Sequence, residues 1–195
     1  FVKILNKAKV EFGVLGVEES ASGDVAKRAG NEFLFQMQAL TNIEILNSYN
    51  VKRIVTTCPH DYNTIKNEYK ELGGLYEVLH HTEFIYELII NERIVISKSY
   101  MGKKITYHDP CYLGRANDVF DIPRKLIDKL GCKLIEMPRS KRRSFCCGAG
   151  GAQMFKEPEK GREDININRT REALDTKSEI IATGCPFCNT MMTDG

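Results

Sequence analysis

The chain has 195 residues, enough for one large domain or two small ones packed closely. With 42% hydrophobic and 28% charged residues its composition is that of an ordinary globular protein. A formal net charge of +2 gives no electrostatic reason to expect a polyanionic partner, so nucleic acid is not expected. No apolar run approaches the roughly 18 residues needed to span a bilayer. The longest, residues 84–90, is interrupted by Glu87 and reads as a core helix. The first residue is Phe1, and no signal-peptide pattern follows it. The expectation is a C-terminal portion of a longer polypeptide, with any membrane association residing in portions absent from this chain.

In chain order, Val14 and Leu15 read as the end of a short strand, and residues 18–24 as a polar, glycine-containing loop. A helical pattern follows, with Ala29, Phe33, Met37 and Leu40 on one apolar face. Residues 51–55 form a β-rich run ending at Thr56-Thr57-Cys58-Pro59, and Pro59 opens a helix over 63–69. Residues 77–80 read as a strand and 82–90 as a helix. The second half repeats the rhythm: strand 104–107, helix 123–130 ended by Gly131, strand 133–136, basic turn 139–143, glycine-rich loop 146–151, helix 165–174 and strand 180–182. Alternating strands and helices predict an α/β fold with parallel pairing.

The chain also resembles itself. Thr57-Cys58-Pro59-His60-Asp61, with Asn63-Thr64 behind it, parallels Gly184-Cys185-Pro186-Phe187-Cys188-Asn189-Thr190. Between Ala21 and Cys58 lie 36 residues, and between Cys147 and Cys185 lie 37. Two pseudo-repeated Rossmann-like subdomains are therefore expected, residues 1–98 and 99–195, the first N-terminally incomplete. Ala21 and Asp61 stand in the first where the second has Cys147 and Cys188.

There are seven cysteines, an odd number, and Cys146 and Cys147 are adjacent. Adjacent cysteines cannot bridge each other without distorting the peptide between them. An odd count with a C-x-x-C and no secretory segment suits a reducing, cytoplasmic setting. The second-half pattern is Cys111, 34 residues, Cys146-Cys147, 37 residues, then Cys185-x-x-Cys188. Each sits in a loop or at a predicted strand end, and the carboxyl ends of parallel strands gather where ligands bind. Thiolates are soft anionic ligands that suit iron–sulfur clusters and zinc. Gly148, Gly150 and Gly151 let the backbone approach a bulky inorganic core and turn N–H groups toward its sulfides.

These words, together with His108-Asp109-Pro110-Cys111-Tyr112-Leu113-Gly114-Arg115 and Cys146-Cys147-Gly148-Ala149-Gly150-Gly151, resemble the CCG, or cysteine-rich, domain of heterodisulfide reductase subunits and D-like proteins. The same domain occurs in iron–sulfur subunits of glycolate, lactate and anaerobic glycerol-3-phosphate oxidoreductases. The resemblance implies an oxidoreductase module with one 4Fe-4S cluster on Cys111, Cys146, Cys147, Cys185 and Cys188. Cubane and non-cubane forms stay open. It implies redox partners, ferredoxin-like or flavoprotein, a quinone or disulfide acceptor, and a location in the cytoplasm or at the inner face of the membrane. The family's first motif would have cysteines at positions 21 and 61, so a second cluster is not expected. Two other classes stand beside this reading: a structural zinc domain, and a thiol–disulfide protein using Cys185 and Cys188.

The remaining candidates have plainer explanations. Cys132 reads as a free, partly buried thiol, and Cys58 as a relict ligand position with a structural role. His80-His81 reads as a hydrogen-bonded structural pair. His108 could tune the centre or deliver a proton, and Asp109-Pro110 makes a turn. Arg139, Lys141, Arg142 and Arg143 form a solvated turn, or offset the charge of a thiolate set. Asp24 reads as a helix cap.

Overall fold

A computed structural model describes residues 1–96, 100–157 and 160–195. The chain divides into two compact units, one of Phe1–Thr56 with His60–Val95, the other of Thr57–Pro59 with Ile96–Gly195. The expected boundary between residues 98 and 99 lies outside the described residues.

The first unit opens with α1 (Val2–Lys7), followed by α2 (Asp24–Arg28) and the long α3 (Glu32–Ser48). The strands β1 (Arg53–Thr56) and β2 (Glu77–His80) pair in parallel, Arg53 opposite Glu77 and Thr56 opposite His80. The helix α4 begins at Pro59 (Pro59–Asn63), four residues earlier than the sequence pattern predicts, and continues through a π turn at Thr64–Glu68 and a 3₁₀ turn at Tyr69–Leu72. Proline at the first position loses only an N–H that has no helical partner there. Helix α5 (His81–Ile90) closes the unit, its Phe84 and Leu88 buried with Leu5 and Ala8.

Two expectations fail here. Residues 11–15 have no regular structure and Val14 is exposed, so no strand ends at Leu15. Helix α3 buries Phe35, Ala39, Asn42, Ile43 and Leu46, leaving Phe33, Met37 and Leu40 exposed. Apolar residues lie nearly all round this helix, so periodicity does not choose a face. Asn42 does: it donates to the Ala21 carbonyl at 2.9 Å and to the Tyr69 hydroxyl at 3.0 Å, and that side is buried.

In the second unit, β3 (Lys104–His108) lies centrally between β4 (Lys133–Leu134) and β5 (Ile180–Thr183), all parallel. The order β4-β3-β5 places crossover segments between each pair. Strand β4 is two residues long, shorter than the 133–136 expected. Helix α6 (Asp121–Lys129) ends before Gly131, whose φ of +74° suits a residue without Cβ. Helices α7 (Ile165–Asp175) and α8 (Pro186–Asp194) complete the unit. Twice in the chain a strand runs into Cys-Pro and then a helix: β1 into Cys58-Pro59 and α4, β5 into Cys185-Pro186 and α8. The fold is α/β with parallel sheets, as expected from the sequence. Among the described residues no helix is long and apolar enough to cross a membrane.

Candidate metal centre

Strand β3 ends at His108 and β5 at Thr183, so Cys111 and Cys185 follow two adjacent parallel strands at their carboxyl ends. Cys188 lies in the first turn of α8, whose start is set by Pro186. Cys146 and Cys147 arrive on the loop after the Lys141–Arg143 turn.

The structure brings these five cysteines together. The Cys147 and Cys188 sulfurs are 3.3 Å apart. Cys146 is hydrogen bonded to both Cys111 and Cys147, and Cys188 also to Cys185. The contacts run unbroken from Cys111 through Cys146, Cys147 and Cys188 to Cys185. None of the five is in a disulfide. Cys147, Cys185 and Cys188 are buried, with Ala149 beside them and Met154, Phe187 and Met191 packed against them.

Crowding sets the charge. Hydrogen bonds from Cys111 and Cys147 hold the Cys146 thiol far below its ordinary value, with the Gly148 N–H adding to them. The same contact raises Cys111, and burial raises it further. Cys147 is raised by Cys146, and Cys188 by Cys147, Cys185 and burial. One thiolate is thus stabilised at the expense of its neighbours. Only a cationic core would allow the whole set to ionise.

The glycine loop supplies donors as the spacing suggests. The Gly148 N–H reaches the Cys146 sulfur at 3.3 Å, and the Ala149 N–H reaches Cys147. Gly148 has φ of +95°, and an added Cβ would sit 3.3 Å from Ile165. This position favours glycine for both reasons. Soft, buried thiols with backbone donors aimed at sulfur fit an iron–sulfur core or zinc.

A polar frame surrounds the cysteines, and much of it escapes sequence reasoning. Asp109 does more than turn the chain. It is buried, and both its carboxylate oxygens accept from Arg124, at 2.7 and 2.9 Å. It also accepts from the Lys141 backbone at 2.8 Å, and its carbonyl accepts from Ser144 at 3.0 Å. That residue ties the Cys111 segment to the stretch leading into Cys146. Arg124 continues to Glu136. Arg169 is wholly buried in α7. Its Nε donates to His108 Nδ1 at 2.9 Å, and its Nη1 to the Arg139 carbonyl and to Glu172, both at 2.9 Å. Burial, with the Arg169 charge adding to it, holds His108 down to about 4, so it is neutral. One ring nitrogen of His108 lies within 4.8 Å of the Cys147 and Cys188 sulfurs. Arg169 leaves one trace in the sequence: it shares a helix face with Ala173, where an apolar residue would be expected.

The basic run is largely committed within the chain. Arg139 pairs with Glu172 at 2.8 Å and lies 3.9 Å from the Phe145 ring centre. Lys141 pairs with Asp121 at 3.4 Å, and Arg142 with Asp118. Cys132 is half-buried, its thiol donating to the Tyr100 carbonyl at 3.4 Å.

The first unit holds a different chemistry. Asp61 accepts from Ser22 at 2.5 Å. Asp24 does not cap α2, whose N-cap is Gly23; it binds His60 at 2.9 Å and Arg28 at 3.0 Å. Arg28 and Lys27 both pair with Glu68. The cap reading fails because buried partners outcompete the helix end. His80 is buried and hydrogen bonded to Thr82 at 2.7 Å, its ring 4.1 Å from that of His81. Cys58, which belongs to the second unit, is buried and in no disulfide.

The family model of the CCG cysteine-rich domain matches residues 1–66 and 105–193. The chain belongs to that family. It is 46% identical over 200 residues to the EtfAB:quinone oxidoreductase of Syntrophomonas wolfei, covering 100% of this chain and 28% of the relative. It is 47% identical over 196 residues to a probable iron-sulfur-binding oxidoreductase of Bacillus subtilis, with coverage of 100% and 28%. It is 34% identical over 200 residues to a subunit of the dihydromethanophenazine:CoB–CoM heterodisulfide reductase of Methanosarcina barkeri, with coverage of 99% and 48%. The chain therefore spans less than half the length of these relatives. No solved structure matches it.

Proposed function

We propose that this chain is the cluster-binding module of an oxidoreductase and holds one 4Fe-4S cluster on Cys111, Cys146, Cys147, Cys185 and Cys188. The observation that carries this is the unbroken run of five contacting, disulfide-free thiols at the ends of β3 and β5. When bound, the cluster supplies one-electron redox chemistry. The chain's own residues then anchor it through thiolates, donate to sulfur from Gly148 and Ala149, and exclude water with Met154, Phe187 and Met191.

Electrons pass from a flavin or ferredoxin-type donor to a quinone or disulfide acceptor. The names of the relatives support both kinds of acceptor, one naming a quinone and another a heterodisulfide. The module works with other redox subunits or domains. It works in the cytoplasm or at the inner face of the membrane. No second cluster is expected in the first repeat, where Ala21 and Asp61 stand in place of two cysteines and Cys58 alone cannot supply the usual four ligands.

A zinc site is the second reading, favoured by the approach of His108 to Cys147 and Cys188. Anaerobic purification followed by iron, sulfide and zinc analysis separates the two. About four iron and four sulfide per chain is the expected result. About one zinc without sulfide would overturn the redox assignment.

A further inference from the structure

We infer that His108 serves the cysteine centre as an N–H donor through Nε2, not as a metal ligand, and that Arg169 is the positioning residue that fixes this. The inference rests on the cluster reading above and deepens it.

Arginine keeps its protons in proteins and has no acceptor. Arg169 Nε–H points at His108 Nδ1 from 2.9 Å, so Nδ1 must present a lone pair. A neutral imidazole then carries its one hydrogen on Nε2. Arg169 cannot turn aside easily. Its Nη1 is held by the Arg139 carbonyl and by Glu172, and the side chain has no exposure. With Nδ1 taken, Nε2 is the nitrogen left to serve the nearby Cys147 and Cys188 sulfurs.

Ligation by Nε2 would require the opposite tautomer. The hydrogen would move to Nδ1 and face the Arg169 hydrogen, two buried donors without an acceptor between them. Histidines that bind metals almost always donate their other N–H to a carboxylate, carbonyl or water. Here the other nitrogen meets a donor, the reverse arrangement. An N–H aimed at anionic sulfur is stabilised further when the centre gains an electron. His108 therefore raises the reduction potential.

The test uses the full-length protein with its cluster, labelled with ¹⁵N-histidine, and reads metal content, pulsed EPR couplings and midpoint potential. The wild-type protein is expected to show no strongly coupled histidine nitrogen. It should also show an exchangeable proton coupling that disappears in D₂O. His108→Leu is expected to keep iron and sulfide, lose that proton coupling and shift the potential negative. His108→Gln, whose amide can donate, is expected to restore part of the shift. Arg169→Met should release the tautomer and reproduce part of the His108→Leu change. If that variant does not fold, the wild-type couplings and the two His108 variants still decide. A strong histidine nitrogen coupling with iron and sulfide intact would overturn the inference alone. So would an unchanged potential in His108→Leu. Absence of iron and sulfide from the wild-type protein would overturn both the inference and the cluster reading.

Discussion

Arg124 grips both oxygens of the Asp109 carboxylate, at 2.7 and 2.9 Å, and the side chains of this pair are only 10% and 3% exposed. Asp109 lies between the end of β3 and Cys111, so the pair sets the direction in which the first of the five thiols leaves the sheet. Removing the cation leaves a buried carboxylate without its counter-charge. Arg124→Met should cost about 3–5 kcal/mol of stability, the usual scale for breaking a buried pair from one side. Adding Asp109→Asn should recover part of that loss. Urea unfolding of the two variants under anaerobic conditions measures both. A single mutant as stable as the parent would mean that the fork contributes nothing net.

The first unit should weaken in acid. Burial pushes the Asp24 carboxyl up, but His60 and Arg28, through hydrogen bonds and charge, outweigh it and hold the group below its ordinary value. A carboxyl depressed on folding adds stability that is complete above its unfolded value and disappears as pH falls through the folded value. The loss therefore begins below about pH 4. The neighbouring charges are His60 on α4, Arg28 on α2, and Glu68 with Lys27, and all remain in the variant. Asp24→Asn should flatten the acid limb of thermal stability against pH. An identical acid limb in parent and variant would remove Asp24 as its source.

Much of this is legible in the sequence because cysteine and proline leave strong marks. The five thiols, the glycine loop and the strand-Cys-Pro-helix words stand out by spacing, and the parallel α/β pattern follows from alternation. What sequence reasoning misses is the set of buried polar partners. Arg124 and Glu172 look like ordinary charges on amphipathic helices, and nothing local says that they turn inward; Arg169 is marked only by sharing a helix face with Ala173. Whether an arginine is buried depends on a carboxylate or imidazole that tertiary structure brings from 15 or 61 residues away. Helix α3 fails for a related reason. Its apolar residues cover more than one face, and a buried asparagine, Asn42, marks the true one.

The ligand assignment predicts an asymmetric response among the cysteines. Cys147 touches Cys146 on one side and Cys188 on the other, so it is central to the run. Cys132 faces the Tyr100 carbonyl instead. Cys147→Ser should reduce iron from about four per chain to near zero, since a hard alcohol is a poor substitute for a soft thiolate. Cys132→Ser should keep iron and sulfide at the parent level. Metal analysis with visible absorption reads both. Full iron in Cys147→Ser would strike Cys147 from the ligand set.

Gly148 joins the backbone geometry to the centre most directly. Its φ of +95° is strained for any residue with a Cβ, and a methyl there would press on Ile165 at 3.3 Å and Met191 at 3.4 Å. Its N–H is the donor that reaches Cys146. Gly148→Ala should therefore cost about 1–3 kcal/mol from backbone strain. It should also turn the donor away from sulfur and weaken the centre beyond that loss. The two effects separate in measurement: denaturant unfolding of the metal-free protein reports the strain, and the rate of iron release to a chelator reports the donor. Strain alone would lower stability and leave iron release unchanged. Faster release by a margin larger than the stability loss accounts for would assign the Gly148 N–H a direct part in holding the cluster.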